Sequence, residues 1–328
     1  MKRATIKDIA QAAGVSVSTV SRALHNHPDI GDNVKQKVKD LAQLLNYYPN
    51  AQAVNFRQNR SFLLGLVVPE IHMFFFPSII RGAVATAEAH GYRLMILPSQ
   101  ESAAKEKEML RRCIDNRVEG ILLALSQETT DIEHLTQAQN MGIPVVLFDK
   151  TQNRQGFDRI VINDKAAAFE CTEHLKKLNC QNILGVFGDS RMGITQNRVQ
   201  GFLQGLSTLQ QDPICLYTRN LQEVELLVLR HLEKYGADGI FAMSDEALAG
   251  TTIALRKAGI KFPEQCQIAA ISDGTIPRLF NPPIPHIQHS GFEVGKISAA
   301  LLIERIERPA TPAAYTEVVV PTRFCLND

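Results

Sequence analysis

The chain has 328 residues, of which 45% are hydrophobic and 21% are charged. This length is too great for one simple core, so we expect two or three compact units. No apolar run approaches the roughly 20 residues of a membrane helix, and the start "MKRATIKDIA" lacks the apolar segment of a secretory signal. We therefore expect a cytoplasmic protein that makes no membrane contact. Six scattered cysteines show neither metal-ligand nor redox spacing, which predicts reduced packing residues and no metal site.

The net charge of +1 is unevenly distributed along the chain. Residues 1–60 hold nine basic and four acidic side chains, whereas the remainder holds 26 basic and 30 acidic ones. A small basic head on a mildly acidic body favours contact between the head and a polyanion. Lysines on a solvated helix face are the alternative explanation.

The stretch "TIKDIAQAAG" (5–14) predicts a short first helix. Thr5 and Asp8 form a capping-box pattern at its start. Gly14 suits the left-handed conformation in which many helices end. The apolar residues between them recur at helical spacing: Ile6, Ile9, Ala10 and Ala13.

A second helix is predicted after Ser16, which is a good N-cap. Its apolar face holds Val20, Ala23 and Leu24, and its opposite face holds Val17, Ser18, Ser21 and Arg22. Two short helices joined by a glycine-containing turn form a helix-turn-helix. Short polar side chains on the outer face suit a helix that enters a DNA major groove, although they lower its helix propensity.

A third helix should close the core of the head. Its apolar residues follow helical spacing at Val34, Val38, Leu41 and Leu45. Its lysines, Lys35, Lys37 and Lys39, would point toward solvent or phosphate.

The stretches "TIKDIAQAAGVSVSTVSRAL" and "LLNYYPNAQAVNFR" resemble, in order and spacing, the DNA-binding head of the LacI/GalR family of bacterial repressors. In that family a short hinge helix after Tyr-x-Pro-Asn inserts an apolar wedge, normally leucine, into the minor groove. Here Asn50 would cap the hinge helix, Ala53 keeps the family's alanine, and Phe56 takes the wedge position. A wedge between base pairs kinks the duplex. Packing of Phe56 against its dimer mate without intercalation is the alternative.

The resemblance implies a homodimer on a near-palindromic operator of double-stranded DNA. It implies base-edge contacts by Val17, Ser18 and Arg22. The full set of implied DNA contacts is Thr5, Ser16, Val17, Ser18, Thr19, Ser21, Arg22, Asn26, Tyr47, Asn50, Ala53 and Phe56. The predicted units are a small all-α helix-turn-helix domain (1–49), a hinge helix and linker (50–60), and an effector-binding and dimerisation domain (61–328).

In the body, short apolar runs alternate with amphipathic stretches. The runs at 62–68, 92–98, 119–125, 144–149, 182–188, 238–243 and 267–272 predict buried parallel strands. Intervening stretches such as 102–116, 164–178, 222–235 and 246–258 predict helices. This alternation predicts an α/β domain with two lobes of doubly wound parallel sheets, like periplasmic sugar-binding proteins. We expect the first lobe at about 61–160 plus 286–315, and the second at about 163–284 plus the C-terminal strand.

Ligands of such domains bind at strand ends between the lobes, where a carbohydrate effector is expected. The predicted contacts are Phe75, Phe76, Asp149, Arg198, Asp245 and Asp273. Aromatic faces stack on sugar rings, while arginine and carboxylates hydrogen-bond hydroxyls. The family resemblance supports Arg198 and Asp245 through "TQNR" (195–198) and "MSDEALAG" (243–250). Alternatively, the phenylalanines pack under a loop or in the dimer interface, and the acids are helix caps or surface pairs.

An enzyme is not expected. The sequence has no G-x-G-x-x-G, P-loop, H-E-x-x-H or G-x-S-x-G motif, and its nine histidines show no consistent spacing. No cofactor is expected either. A periplasmic solute receptor would have a signal sequence and would not need the head, and an α/β enzyme with a regulatory helix-turn-helix is the third class considered. The sequence therefore predicts a DNA-binding transcriptional regulator, a repressor controlled by a small molecule.

Overall fold

The computed structural model describes residues 4–47, 60–71, 75–151, 156–207, 212–308 and 314–326. The chain divides into two compact units, a head (Met1–Ser61) and a body (Phe62–Asp328). Across the described ranges, no helix combines the length and apolarity needed to cross a lipid bilayer.

The head contains three helices. They are α1 (Ile6–Ala13), α2 (Val17–Leu24) and α3 (Asp32–Leu44). Apolar residues from all three meet in one small core, in which Ile9, Val20, Ala23 and Val38 are fully buried. The predicted helix-turn-helix with a third closing helix is therefore confirmed. Leu45, expected on the core face, follows the end of α3 and is 37% exposed.

Capping interactions fix the ends of α1 and the start of α2. The Thr5 N–H donates to Asp8 Oδ2 (2.7 Å) while the Asp8 N–H donates to Thr5 Oγ1 (3.4 Å), so the predicted capping box is present. Gly14 follows α1 with φ 71°, a conformation that favours glycine. The Thr19 N–H donates to Ser16 Oγ (3.1 Å) at the start of α2. These caps hold the two helices in the tight turn of a helix-turn-helix.

The body alternates strands and helices. In chain order these are β1 (Leu63–Val68), α4 (Phe75–Ala89), β2 (Arg93–Pro98), α5 (Ala103–Asp115), β3 (Gly120–Leu123), α6 (Glu133–Asn140), β4 (Val145–Phe148), β5 (Asp158–Val161), α7 (Asp164–Lys177), β6 (Ile183–Phe187), α8 (Gly193–Leu206), β7 (Ile214–Tyr217), α9 (Leu221–Tyr235), β8 (Gly239–Ala242), α10 (Asp245–Ala258), β9 (Gln267–Ser272), β10 (His286–Gln288), α11 (Gly291–Glu307), β11 (Glu317–Val319) and β12 (Arg323–Cys325).

The strands form two six-stranded sheets, one in each lobe. The first sheet has the order β11-β5-β4-β3-β1-β2 and the second has the order β12-β10-β9-β8-β6-β7. Pairing within the described strands is parallel except between β10 and β12. The central strands of both sheets, β1, β3, β4, β6, β8 and β9, are buried on both faces, as parallel sheets covered by helices require. The predicted two-lobed α/β architecture is confirmed.

The chain crosses between the sheets after β5, after β10 and after β11. Two lobe boundaries differ from the sequence-based expectation. Residues 286–288 form β10, which pairs with β9 in the second sheet rather than belonging to the first lobe. The final apolar stretch (315–321) contributes β11 to the first sheet, and β12 then joins the second. β11 pairs in parallel with β5 and so becomes the edge strand of the first sheet.

Helices α4 and α11 pack closely in the first lobe because glycine permits backbone contact. A β-carbon at Gly82 would lie 2.0 Å from the Phe292 carbonyl oxygen. Glycine serves the same purpose between α7 and α8 in the second lobe, where a β-carbon at Gly201 would lie 2.0 Å from the Lys165 carbonyl oxygen. A side chain at either position would force the helices apart.

Candidate DNA-reading face and effector cavity

The outward face of α2 carries residues that the sequence predicts to read DNA. Val17 is 37% exposed, Ser18 and Arg22 are exposed, and Ser21 is partly buried, whereas Val20 on the inner face is fully buried. Short side chains on an exposed helix face allow its backbone to approach base edges. The arrangement can therefore present Arg22, the longest side chain of this face, to a guanine.

Several other predicted DNA contacts also hold the head together. Thr5 caps α1, and Ser16 caps α2 while its hydroxyl lies 2.8 Å from that of Thr19. Tyr47 packs against the core of the head, and burial raises the pKa of its phenol. Asn26 is exposed just after α2, with φ 54°. The predicted hinge contacts lie outside the described residues: Asn50, Ala53 and Phe56.

In the body, a cavity of 440 Å³ lies between the two lobes. Residues that follow β1, β4, β6 and β8 line its wall. The carboxyl ends of strands are where doubly wound sheets bind ligands. Five of the six predicted effector contacts line this cavity: Phe75, Phe76, Asp149, Arg198 and Asp245.

The aromatic wall comes from Phe75 and Phe76, in the first turn of α4. Phe76 is 8% exposed and packs into the first-lobe core, which places part of its ring beneath the cavity. Phe75 is partly buried, and its ring centroid lies 6.0 Å from that of Phe76 and 4.3 Å from that of His289. His289 also lines the cavity, so the wall brings together a residue of α4 and one of the β10–α11 crossing.

Arg198 enters the cavity from α8 with its guanidinium held on two sides. Its Nε donates to Asp164 Oδ1 (2.8 Å) and its Nη1 donates to the Met243 carbonyl oxygen. The side chain is 3% exposed. Two anchors on a planar group fix its orientation, so the remaining N–H groups point in defined directions.

Asp245 is the first residue of α10, and Ser244 caps this helix by accepting from the Ala247 N–H (3.2 Å). The Asp245 carboxylate accepts from the Ser272 hydroxyl and from the Asp273 N–H (3.2 Å). Burial raises the pKa of Asp245 to about 7, although the Ser272 hydrogen bond works against this. The cavity wall thus contains a buried carboxyl group that holds its proton to a much higher pH than an exposed aspartate does.

Asp273 does not line the cavity. Its own carboxylate accepts from the Thr275 N–H (2.9 Å) in the turn after β9, while its backbone N–H supports Asp245. The expectation that Asp273 lies at a strand end is met. The expected cavity contact is wrong in this structure, because the Asp273 carboxylate is hydrogen-bonded within the turn and does not reach the cavity wall.

Asp149 follows β4 with φ 57°, in the left-handed region that aspartate tolerates better than most residues. Burial raises the pKa of its carboxyl to about 6, against the opposing effect of Arg198 and then Lys150. Strained conformations of this kind concentrate at ligand-binding positions. Asp149 adds a second carboxyl group whose pKa burial raises above the ordinary range of aspartate.

The cavity also contains charged residues that the sequence analysis missed. Lys150 forms an ion pair with Glu101, and its Nζ lies 5.9 Å from the centroid of the Phe76 ring. Asp189 accepts two hydrogen bonds from the Arg191 side chain (2.9 and 2.7 Å), which lower the pKa of its carboxyl to about 2. Lys150 and Asp189 follow β4 and β6, so the rule that identified Asp149 applies to them as well.

A buried network supports the loop after β3. The Glu106 carboxylate is fully buried and accepts from the Ser126 N–H (2.6 Å) and the Thr129 hydroxyl (3.0 Å). His134 Nε2 lies 2.8 Å from its other oxygen. A buried charge needs such partners, and the network fixes the segment that carries Gln127 to the cavity wall.

Comparison with known proteins covers both units. Residues 5–50 match the family model of bacterial regulatory proteins of the lacI family. Residues 61–326 match the model of periplasmic binding proteins and the sugar binding domain of the LacI family.

Individual relatives agree with these matches. The chain is 30% identical over 324 residues to the ribose operon repressor of Bacillus subtilis, covering 98% of this chain and 97% of that protein. The lac repressor dimer bound to operator and the anti-inducer ONPF has the same fold, with a TM-score of 0.86 and 18% identity over 99% of this chain and 98% of that one. A LacI family regulator from Enterococcus faecium with bound ribose gives a TM-score of 0.71 at 24% identity, over 80% of this chain and 97% of that one.

These relatives are transcriptional regulators by name, which confirms the prediction of a regulator rather than an enzyme. The helix-turn-helix head and the two-lobed body are the two parts expected of such a protein. On the evidence of both family models and the Bacillus subtilis repressor, the chain belongs to the LacI family of bacterial transcriptional regulators.

Proposed function

We propose that the protein is a cytoplasmic repressor that binds a near-palindromic operator as a homodimer and changes its operator affinity when a sugar occupies the cavity between its lobes. The observation that carries the proposal is the 440 Å³ cavity, whose wall combines aromatic faces, carboxyl groups and an anchored arginine. The exposed polar face of α2 supports the DNA-binding part.

In the head, Val17, Ser18 and Arg22 read base edges from the major groove. The remaining predicted contacts position the head on the backbone, because hydroxyl, amide and phenol groups bind phosphate oxygens. The hinge residues Asn50, Ala53 and Phe56 would add minor-groove contacts, with Phe56 as the wedge.

In the cavity, the rings of Phe75 and Phe76 offer apolar surface to one face of a sugar. Arg198 donates to hydroxyl oxygens, while Asp149 and Asp245 accept from hydroxyl groups. Ribose is bound in the Enterococcus faecium structure and names the operon of the Bacillus subtilis relative, so D-ribose is the first candidate. Asp273 supports the site indirectly, because its backbone N–H donates a hydrogen bond to the Asp245 carboxylate.

The proposal is tested by selecting binding sites from random duplex DNA with the full-length protein. A near-palindromic sequence should be enriched, and the affinity for this sequence should then change when a sugar that binds the protein is added. Arg22→Ala serves as the matched control in the selection, because it should relax the sequence preference at one position of each half-site. A protein that enriches no sequence, or whose DNA affinity no sugar alters, would contradict the proposal.

A further inference from the structure

The first turn of α2 carries one apolar side chain on an otherwise polar surface. Val17 is the first residue of this helix and is 37% exposed. Across the described residues of the head, it belongs neither to the buried core nor to the apolar residues packed against that core. Valine also has a lower helix propensity than alanine, because its branched side chain loses rotamer freedom in a helix. Neither core packing nor helix formation therefore accounts for a valine at this position.

The hydroxyl groups on either side of Val17 form a closed set of hydrogen bonds. Ser16 Oγ accepts from the Thr19 N–H (3.1 Å), and it lies 2.8 Å from both Ser18 Oγ and Thr19 Oγ1. A hydroxyl group has one proton and two lone pairs, so Ser16 can make all three bonds at once. These bonds fix the first turn of α2, and with it the position from which the Val17 side chain projects.

The place of Val17 in the helix-turn-helix brings its side chain to the edge of a base pair. In such motifs the second helix lies in the major groove, and its N-terminal residues contact base edges. All four bases present hydrogen-bonding groups in this groove, and thymine adds an apolar group, its C5-methyl. An apolar side chain against a purely polar edge would leave donors or acceptors unpaired. Against the thymine methyl it buries apolar surface on both partners instead.

We infer that Val17 reads the C5-methyl group of one thymine in each half-site of the operator. The inference deepens the proposed function and rests on it, since it names the base that this helix face recognises. Arg22 lies further along α2, at a distance of about 7.5 Å for a rise of about 1.5 Å per residue. Successive bases of one strand are about 3.4 Å apart along the duplex axis. The thymine should therefore lie within about three base pairs of the guanine that Arg22 contacts.

The test uses the operator selected with the full-length protein and replaces its thymines by deoxyuridine, one position at a time in both half-sites. This change removes the C5-methyl group and keeps every hydrogen-bonding group of the base. For the wild type, fluorescence anisotropy should show one thymine position at which the change weakens binding about fourfold per half-site, the effect of one buried methyl group. The Val17→Ala variant should bind this deoxyuridine operator as tightly as the thymine operator. Alanine raises helix propensity at an exposed position, so the variant head should still fold.

Leu44→Ala is the matched control, because it also truncates an exposed apolar side chain of the head but lies at the end of α3. It should keep the full deoxyuridine effect. The inference is overturned if no thymine methyl contributes to binding by the wild type, or if Val17→Ala loses as much affinity on the deoxyuridine operator as the wild type does. Either result leaves the proposed function standing, because a selected operator is still bound. If the selection enriches no sequence, the proposed function and the inference fail together.

Discussion

Arg22 has an exposed side chain on the outer face of α2, next to Ser18 and opposite the buried Val20. If it binds a guanine through two hydrogen bonds, Arg22→Ala should cost roughly 1–3 kcal/mol of operator binding and relax the preference at one position of each half-site. Fluorescence anisotropy on the selected operator and on single-base variants measures both effects.

Lys35→Ala provides the comparison for Arg22→Ala. It removes a charge from α3 without touching the reading face, so it should weaken binding to all sequences alike and lower the salt dependence. Arg22 would not be a base reader if its loss weakened specific and random DNA equally.

Asp245 should make the stability of the ligand-free protein depend on pH. Its pKa is raised by burial to about 7, so folding favours the neutral acid. The resulting stabilisation is fully present below the ordinary pKa of 3.8 and is lost as the pH rises from there through about 7, because the unfolded chain releases this proton before the folded protein does. Asp245→Asn cannot ionise and should melt at a higher temperature than the wild type at pH 8, by an amount equivalent to at most roughly 4 kcal/mol.

Thermal unfolding at pH 5.5 and at pH 8 measures this difference, which should shrink at the lower pH. Asp115→Asn, at an exposed position in α5, should show no comparable pH dependence. The prediction is wrong if Asp245→Asn lowers the melting temperature, relative to the wild type, by the same amount at pH 5.5 and at pH 8.

Arg198→Ala should abolish sugar binding but should also destabilise the second lobe. Removal of the guanidinium leaves the buried Asp164 carboxylate without its partner at 2.8 Å, a loss that typically costs roughly 3–5 kcal/mol. Adding Asp164→Asn to Arg198→Ala should restore much of the stability and none of the sugar binding. Thermal unfolding and calorimetry on both variants separate the two roles, and restored sugar binding in the double variant would remove Arg198 from the site.

The sequence predicts the cavity contacts that follow directly from strand ends or from family motifs. Asp149, Arg198 and Asp245 line the cavity as expected. Asp273 does not, because its carboxylate accepts a hydrogen bond from the Thr275 N–H within a turn, for which the Asp273-Gly274 pair is a sequence signal that the analysis did not use. Glu101 was missed because it lies in the loop after β2 and reaches the cavity through its ion pair with Lys150.

Among the secondary-structure elements, those with strong periodicity or clear caps were predictable. The predicted helices at 164–178 and 246–258 match α7 and α10 closely. Strands β5, β7, β10 and β12 were not predicted, since they have three or four residues each and include polar or exposed positions. Their pairing depends on the neighbouring strand, which local sequence does not describe.

The contact between α4 and α11 should depend on the absence of a side chain at Gly82. Gly82→Ala would place a β-carbon against the Phe292 carbonyl oxygen, so the helices must separate, at a typical cost of roughly 1–3 kcal/mol. Ala85→Ser changes the exposed face of the same helix and should alter stability little. Thermal unfolding of both variants makes the comparison, and equal melting temperatures for Gly82→Ala and the wild type would contradict the expected close packing.

For the whole molecule, sugar binding and operator binding should be reciprocal. If the sugar changes operator affinity by some factor, the operator must change sugar affinity by the same factor, whichever the direction. Calorimetric titration of the sugar, with and without saturating operator, should reproduce the factor found by anisotropy. Unequal factors would mean that the two measurements do not report on one coupled equilibrium.

The three crossings between the sheets also set the order in which a growing chain can fold. The first lobe begins with β1 but receives α11 and β11 only after β6–β10 of the second lobe have been made. Until then, the surfaces of α4, β3 and β4 that α11 covers have no partner from their own lobe. Exposed apolar surface on unfinished chains attracts chaperones. Although translated first, the N-terminal lobe thus stays open until all strands of the second lobe except β12 have been made, and ribosome-bound chains halted at residue 290 should recruit more chaperone than released full-length protein.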